Sequence, residues 1–217
     1  MLPRRLTPLP AALAASLLLF ACGGDDDGGE TASGVPDGCS EVEAPAAKQG
    51  RFTKAKQRLS GPVSAVVETN CGSFTIELDT EQAPKTTSSF AGLVEQGLYD
   101  DTLIHRIEPG FVVQGGDPLG DGTGGPGYFV DEAPPAELTY TRGTVAMAKT
   151  AAEPPGRSGS QFFVVTAPAD AGLPPDYALL GRVSEGFETI ELIESLVGPD
   201  GQPDAPAVIE RVILRGA

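Results

Sequence analysis

HRIEPGFVVQGGDP, running from His105 to Pro118, sets a short β pattern around one guanidinium and one amide. Ile104, Arg106 and Glu108 alternate with His105 and Ile107 up to a Pro109-Gly110 turn. Beyond it Phe111, Val113 and Gly115 alternate with Val112 and Gln114. A period of two on both sides of a Pro-Gly turn predicts two paired strands, with Arg106 on one and Gln114 on the next. GSQFFVVTA, from Gly159 to Ala167, predicts a further strand in which Gln161 and Phe163 face one way and Phe162 and Val164 the other. Side by side, these strands make an apolar surface studded with fixed hydrogen-bond donors.

The flanking sequence extends the β pattern. Runs at 63–69 and 73–78 enclose Asn70, Cys71 and Gly72 as a hairpin turn, and further runs fall near 102–108, 111–115, 128–131, 144–148, 160–166, 178–183 and 207–214. Two helices are predicted. The first, over 84–96, has Pro84 in its first turn, Phe90, Leu93 and Val94 on one face and Gly97 as its stop. The second, over 187–196, turns Phe187, Ile190, Ile193 and Val197 inward. Many short strands with only two helices predict a mainly β domain over 61–217, a closed antiparallel barrel.

At this point the chain resembles the cyclophilins, a family of peptidyl-prolyl cis-trans isomerases, over roughly residues 64–216. Besides the two stretches quoted, the resemblance rests on APKTTSSF (Ala83 to Phe90), GDGTGGPGY (Gly120 to Tyr128), GTVAMAK (Gly143 to Lys149) and YALLGRV (Tyr177 to Val183), in the family's order and near its spacing. It implies eight strands capped by a helix at each end.

The resemblance also implies a chemistry that needs no nucleophile, metal or cofactor. Rotation about an X-Pro bond passes through a twisted amide whose conjugation is lost, at a barrier of about 18 to 20 kcal/mol for a peptide bond. The proline nitrogen then regains a lone pair that a guanidinium can bind, and Arg106 occupies the place of the family's catalytic arginine. The proline slot falls to Phe111, Val112, Phe163 and Leu173. Gln114 holds a substrate carbonyl, Gln161 supports that face, and the backbone at Lys149, after Ala148, pairs with the peptide as an added strand. Thr123, with Gly122, borders a neighbouring side-chain pocket. Four positions depart from the animal members: Gly172 stands for a tryptophan, Tyr177 for a histidine, Val112 for a methionine and Lys149 for an asparagine. Tyr177 keeps a ring and a hydroxyl donor. Singly, Arg106 reads as a surface ion-pair former and Phe163 as core; their joint spacing is what carries the assignment.

Composition bounds the partners. The 217 residues carry a formal charge of -15, which repels phosphate backbones and excludes a nucleic-acid partner. The partners implied are unfolded or extended polypeptides containing proline, met by a monomer. Residues 1–21 read as a signal peptide: Arg4 and Arg5 precede an apolar run from Leu9 to Ala21 that is short for a bilayer span. Leu19-Phe20-Ala21-Cys22 resembles a bacterial lipobox, which makes Cys22 the lipidated residue and places the protein outside the cytoplasm, held on the cell membrane. Asp25 to Asp27 read as a solvated run, and residues 22–60 as a flexible tether. The basic second half of that tether (Lys48, Arg51, Lys54, Lys56, Arg58) reads as solvated, with anionic lipid headgroups as the other reading. In an exported protein, Cys39 and Cys71 are expected to form a disulfide.

Other motifs fall away. Gly120, Gly122 and Gly125 fit GxGxxG but lead into a β run, so the dinucleotide fingerprint lacks its helix. Asp117 and Asp121 lack the intervening oxygen ligands of a calcium loop. His105, the one histidine, has no base partner in the sequence and reads as structural. The readings are an isomerase that assists folding of exported proteins, a proline-peptide-binding or chaperone module with little isomerase activity, or a structural envelope protein that binds no proline peptide. Arg106 with Gln114 and Phe163 favours the enzyme.

Overall fold

The computed structural model describes residues 35–199 and 201–216; the signal segment 1–21 and Cys22 lie outside them. The strands are β1 (Ser64–Thr69), β2 (Gly72–Leu78), β3 (Thr102–Leu103), β4 (Arg106–Glu108), β5 (Val112–Gly115), β6 (Val130–Asp131), β7 (Thr144–Met147), β8 (Arg157–Ser158), β9 (Phe162–Val165), β10 (Leu179–Glu185) and β11 (Val208–Arg215). The helices are α1 (Pro84–Glu95) and α2 (Phe187–Glu194). Nine strands form one sheet in the order β3-β11-β1-β2-β10-β7-β9-β5-β4, and β6 pairs with β8 apart from it.

The two edge strands decide the shape. Nine strands laid flat would separate β3 from β4 by about 38 Å. Leu103 and Arg106, one on each edge, are three residues apart, a reach of at most about 11 Å. The sheet must therefore roll until its edges nearly meet. This corrects the expected closed eight-stranded barrel in two respects: the main sheet has nine strands, and among the described residues no hydrogen-bonded ladder joins its edges. The cause is a break at Ile104-His105, which splits the run expected over 102–108. It also reverses Ile104, which alternation placed beside Arg106. Ile104 instead donates its N–H to the Ala207 carbonyl at 2.9 Å and is buried in the interior with Ile107.

Alternation along the central strands divides the apolar residues into two clusters. Ile107, Val113, Val145, Met147, Phe162 and Val164 fill the inside of the roll. Val112, Ala146, Phe163 and Val165, from the same strands, join Tyr140 and Ala167 in a second cluster on the outside. All four residues of β7 and of β9 are buried, which is why these segments read as unbroken apolar runs.

Helix α1 seals the interior through Phe90, whose ring lies 4.8 Å from Tyr99 and 5.9 Å from Phe162. Pro84 opens it, but no side chain of its own caps it. The cap comes from Glu132, whose carboxylate accepts the N–H of Lys85 at 3.0 Å and that of Thr86 at 2.8 Å, an acidic group where the helix dipole favours one.

Residues 40–59, grouped above with a flexible tether, have no regular secondary structure but are fastened to the domain. They run antiparallel along α1. The Leu59 N–H bonds Ser88 Oγ at 2.8 Å; Ala55 sits against Gly92, where a Cβ would come within 2.9 Å of it; Thr53 and the Gln96 side chain exchange bonds of 2.8 and 2.9 Å. At the far end Cys39 is bonded to Cys71 in the β1–β2 turn, 32 residues on, and Asn70 in that turn donates its side-chain amide to the carbonyls of Ser40 and Pro206. Because both ends of the closed loop are ordered, replacing both cysteines (Cys39→Ser with Cys71→Ser) is expected to lower the unfolding free energy by about 3 to 4 kcal/mol. Urea titration measures it; an unchanged midpoint would show that the cross-link constrains nothing.

Candidate active site

One row of residues crosses the outer face of the sheet. Arg106 pairs in register with Gln114, Gln114 with Phe163, and Phe163 with Ala146, so their side chains share a side. Three strands bring together residues up to 57 positions apart by numbering, from Arg106 to Phe163.

The polar half of the row is a relay of oriented amides. Arg106 NH1 donates to Gln114 Oε1 at 3.3 Å, Gln114 Nε2 to Gln161 Oε1 at 3.0 Å, and Gln161 Nε2 to the carbonyls of Gly122 and Gly124 at 3.0 Å each. These bonds set which way each amide faces. Arg106 is also paired with Glu108, whose Oε1 accepts from Nε at 3.0 Å and from NH2 at 2.6 Å, and its guanidinium lies 5.8 Å from the Phe111 ring centroid. With side chains 40% and 51% exposed, the ion pair adds little stability. Its effect is orientation.

The glycine-rich segment owes its shape to Asp117. This fully buried carboxylate accepts the Leu119 N–H at 2.8 Å and the Gly122 N–H at 2.6 Å. The loop wraps so closely that a Cβ on Gly124 would stand 1.9 Å from Asp117 Oδ1. Thr123 is exposed there, its hydroxyl bonded to Asp121 at 2.6 Å, next to the two carbonyls that hold Gln161.

The apolar half is the second cluster. Val112 and Phe163 are buried in it, and Phe111, Ala148, Leu173 and Tyr177 pack against it, half-buried. Phe163 meets the Tyr177 ring edge-on at 5.4 Å, and Tyr177 meets Tyr140 edge-on at 5.9 Å. Such pairs contribute about 0.5 to 1.5 kcal/mol each beyond their buried area. Tyr140 pins the backbone of Tyr177 from both sides, donating its hydroxyl to the carbonyl at 2.6 Å and accepting the N–H at 3.0 Å. Burial pushes the Tyr140 phenol up to about 12 against the pull of the Tyr177 N–H that its oxygen accepts, so it stays a donor throughout the neutral range. At the sheet's end the Ala148 N–H bonds the Gln161 carbonyl at 2.8 Å. Lys149 follows, its ammonium 5.5 Å from the Tyr177 ring centroid and 3.2 Å from the Glu153 carbonyl.

Every residue named from the sequence thus lies on or beside this surface except Cys22, outside the described residues, and the disulfide pair at the β1–β2 turn. Three contributors were not named. Glu108 was visible as the i+2 neighbour of Arg106 on one strand face. Asp117, set aside as a calcium ligand, and Tyr140, in a segment without period, have partners known only after folding. A concavity of about 750 Å³ lined by Glu77, Asp79, Leu179 and Arg182 contains none of the named residues; it meets the second cluster only through Leu138.

Among the described residues no cluster of His, Cys, Asp or Glu could ligate a metal. What the groups on this surface offer is an oriented guanidinium and amide beside an aromatic floor. Residues 64–214 match the cyclophilin type peptidyl-prolyl cis-trans isomerase/CLD family, and the chain belongs to it. It is accordingly a peptidyl-prolyl cis-trans isomerase, EC 5.2.1.8. It is 38% identical over 151 residues to peptidyl-prolyl cis-trans isomerase-like 1 of Neurospora crassa, covering 68% of this chain and 89% of that protein. To the probable peptidyl-prolyl cis-trans isomerase B of Mycobacterium leprae it is 37% identical over 172 residues, 70% of this chain and 57% of the other. The crystal structure of a cyclophilin type isomerase from Cryptosporidium parvum superposes with a TM-score of 0.65 at 33% identity, covering 72% of this chain and 99% of that one. A second structure of that protein, in the presence of the dipeptide Ala-Pro, superposes at 0.64 with 31% identity, over 71% of this chain and 99% of that one.

His105 gives the site a pH dependence. Its Nε2 lies 3.4 Å from Gln114 Nε2 and accepts that amide's second proton in the neutral tautomer that carries hydrogen on Nδ1. Burial lowers its pKa, with the charges of Asp117 and Asp121 acting in the opposite direction. The folded chain therefore favours the neutral ring: its stability is full above about pH 6.5, the unfolded value, and declines as pH falls from there through the depressed folded value. Protonation also turns Nε2 into a donor facing a donor. We expect the isomerisation rate to fall towards acid by about fivefold, the equivalent of one hydrogen bond of about 1 kcal/mol, and the His105→Gln variant to lose that dependence. Exchange NMR on an X-Pro peptide from pH 8 to 5 checks both.

Proposed function

We propose that Arg106 carries the isomerisation. The supporting observation is its place in the row, beside the aromatic floor and held by Gln114 and Glu108. A proline ring seated on Phe111, Val112, Phe163, Leu173 and Tyr177 sets its imide nitrogen against the guanidinium. As the bond twists, that nitrogen becomes pyramidal and its lone pair accepts from Arg106. The contact is stronger in the twisted state than in either planar isomer, which is the condition for catalysis. Gln114 holds a substrate carbonyl, Gln161 fixes Gln114, and the peptide backbone pairs beyond Ala148 with Lys149 as an added strand. Thr123 stands at the border of the neighbouring side-chain pocket. No group on the protein changes its bonding in the cycle.

The substrates we propose are proline-containing segments of exported polypeptides, met while unfolded or extended. This rests on the signal-like residues 1–21 and the lipobox at Cys22. Acyl chains on Cys22 tether the isomerase, as a monomer, to the outer face of the cell membrane. Membrane fractionation tests the anchor: Cys22→Ser should move the protein from the membrane to the soluble fraction, and a variant still in the membrane would remove lipidation as the means of attachment.

For the chemistry, Arg106→Ala should fold normally and lose roughly two to three orders of magnitude in rate, as on removal of one preorganised transition-state donor. Exchange NMR, free of any coupled protease, measures it. Native-like rates in a folded Arg106→Ala protein would sink the mechanism.

A further inference from the structure

The arm over residues 39–59 lies outside the stretch matched by the family, 64–214, yet it reaches the active surface through a single residue. Lys48 is half-buried and makes contacts in two directions. Its ammonium donates to the carbonyl of Gly97 at 3.1 Å and to that of Asp100. These carbonyls lie just past the end of α1, whose last turn carries no basic residue, so Lys48 supplies the cation that a helix C-terminus favours. Its backbone N–H donates to the Pro118 carbonyl at 2.7 Å.

Pro118 is the entry to the loop on which the site's orientation depends. It is buried and follows Asp117, whose carboxylate folds the loop by accepting from Leu119 and Gly122. The carbonyls of Gly122 and Gly124 hold Gln161, Gln161 holds Gln114, and Gln114 holds Arg106. Hydrogen bonds, joined by the one peptide link between Pro118 and Asp117, thus connect the arm to the guanidinium. The arm end of that set is itself fixed at four further points: the disulfide to Cys71, Thr53 on Gln96, Ala55 on Gly92 and Leu59 on Ser88.

We propose that this arm is a brace for the active surface, with Lys48 as the positioning residue that holds the 118–124 loop and, through it, the amides that aim Arg106. The proposal rests on the reading of Arg106 given above. Misaligning a transition-state donor costs rate and leaves peptide binding on the apolar floor unchanged. Lys48→Met keeps the aliphatic stem and the backbone N–H on Pro118 but frees the arm from the Gly97 and Asp100 carbonyls that hold it there, and this loosened support should lower kcat about tenfold with KM within twofold of the native value. Lys48→Arg should restore most of it. Hydrogen exchange should quicken at the amides of Gly122 and Thr123 while those of Val164 and Val165 in the sheet stay slow, which global destabilisation would not do. Gln96→Ala, which cuts the arm's bond at Thr53, serves if Lys48→Met does not fold, and should shift the same readouts less, about threefold. Native kcat and unchanged exchange at Gly122 in the folded variant would overturn the brace, as would a rise in KM alone. Arg106→Ala measured alongside separates the two ideas. If it is inactive while Lys48→Met is native, only the brace fails; if it is active, the reading of the site fails and the brace with it.

Discussion

The burial of β7 and β9 on both faces is the constraint on which the rest of the protein depends. A sheet with one wet face would present Phe163 and Ala146 to water as isolated apolar residues. Here the segment around Leu138 and Tyr140 and the 171–177 loop fold over the outside and cover them. That cover is incomplete at Phe111, Leu173 and Tyr177, which remain half-exposed, and the gap is the apolar part of the active surface. One packing solution therefore both stabilises the central strands and leaves an edge of ordered aromatic surface for a substrate ring.

The rolled geometry follows from a second constraint, the three-residue link between the edge strands. Because β3 pairs with β11 and β4 with β5, the chain between Leu103 and Arg106 joins opposite edges of a nine-stranded sheet. The break at Ile104-His105 lets the strand change partners there. It reverses the facing of Ile104 relative to Arg106, so the same short segment contributes an interior residue and, two positions on, the outward guanidinium. Position on an edge strand also leaves Arg106 with one neighbour across the sheet, Gln114, and an open side towards the peptide.

Rigidity at this surface comes mostly from groups that never touch substrate. Asp117 and Tyr140 are polar groups whose partners are backbone N–H or carbonyl groups of segments without regular structure, and Glu132, itself in such a segment, holds the first turn of α1. Buried or partly buried, such bonds are costly to break because their partners would be left unsatisfied. They convert loops, which ordinarily sample many conformations, into fixed supports. The arm along α1 belongs to the same class: no regular structure, but Lys48, the Thr53 backbone gripped by Gln96 and the Cys39–Cys71 disulfide fasten it at intervals.

Local pattern alone determined much of this protein. Period-two alternation and turn residues located the hairpins at 63–78 and 106–115, Pro84 and Gly97 bounded the first helix to within a residue, and the spaced motifs named Arg106, Gln114, Gln161 and Phe163, which the register then brought onto one face. These are short-range properties, legible because neighbouring residues impose them on one another. The sequence did not disclose that the 102–108 run breaks in two, that nine strands share a sheet without a closing ladder, or that a polar, Gly- and Lys-bearing segment lies fixed along a helix. Each of those depends on a partner distant in the chain, such as Ala207 for Ile104 and Gln96 and Gly92 for the arm. A hydrogen bond across a hundred residues leaves no period in the sequence, so only the tertiary structure could decide it.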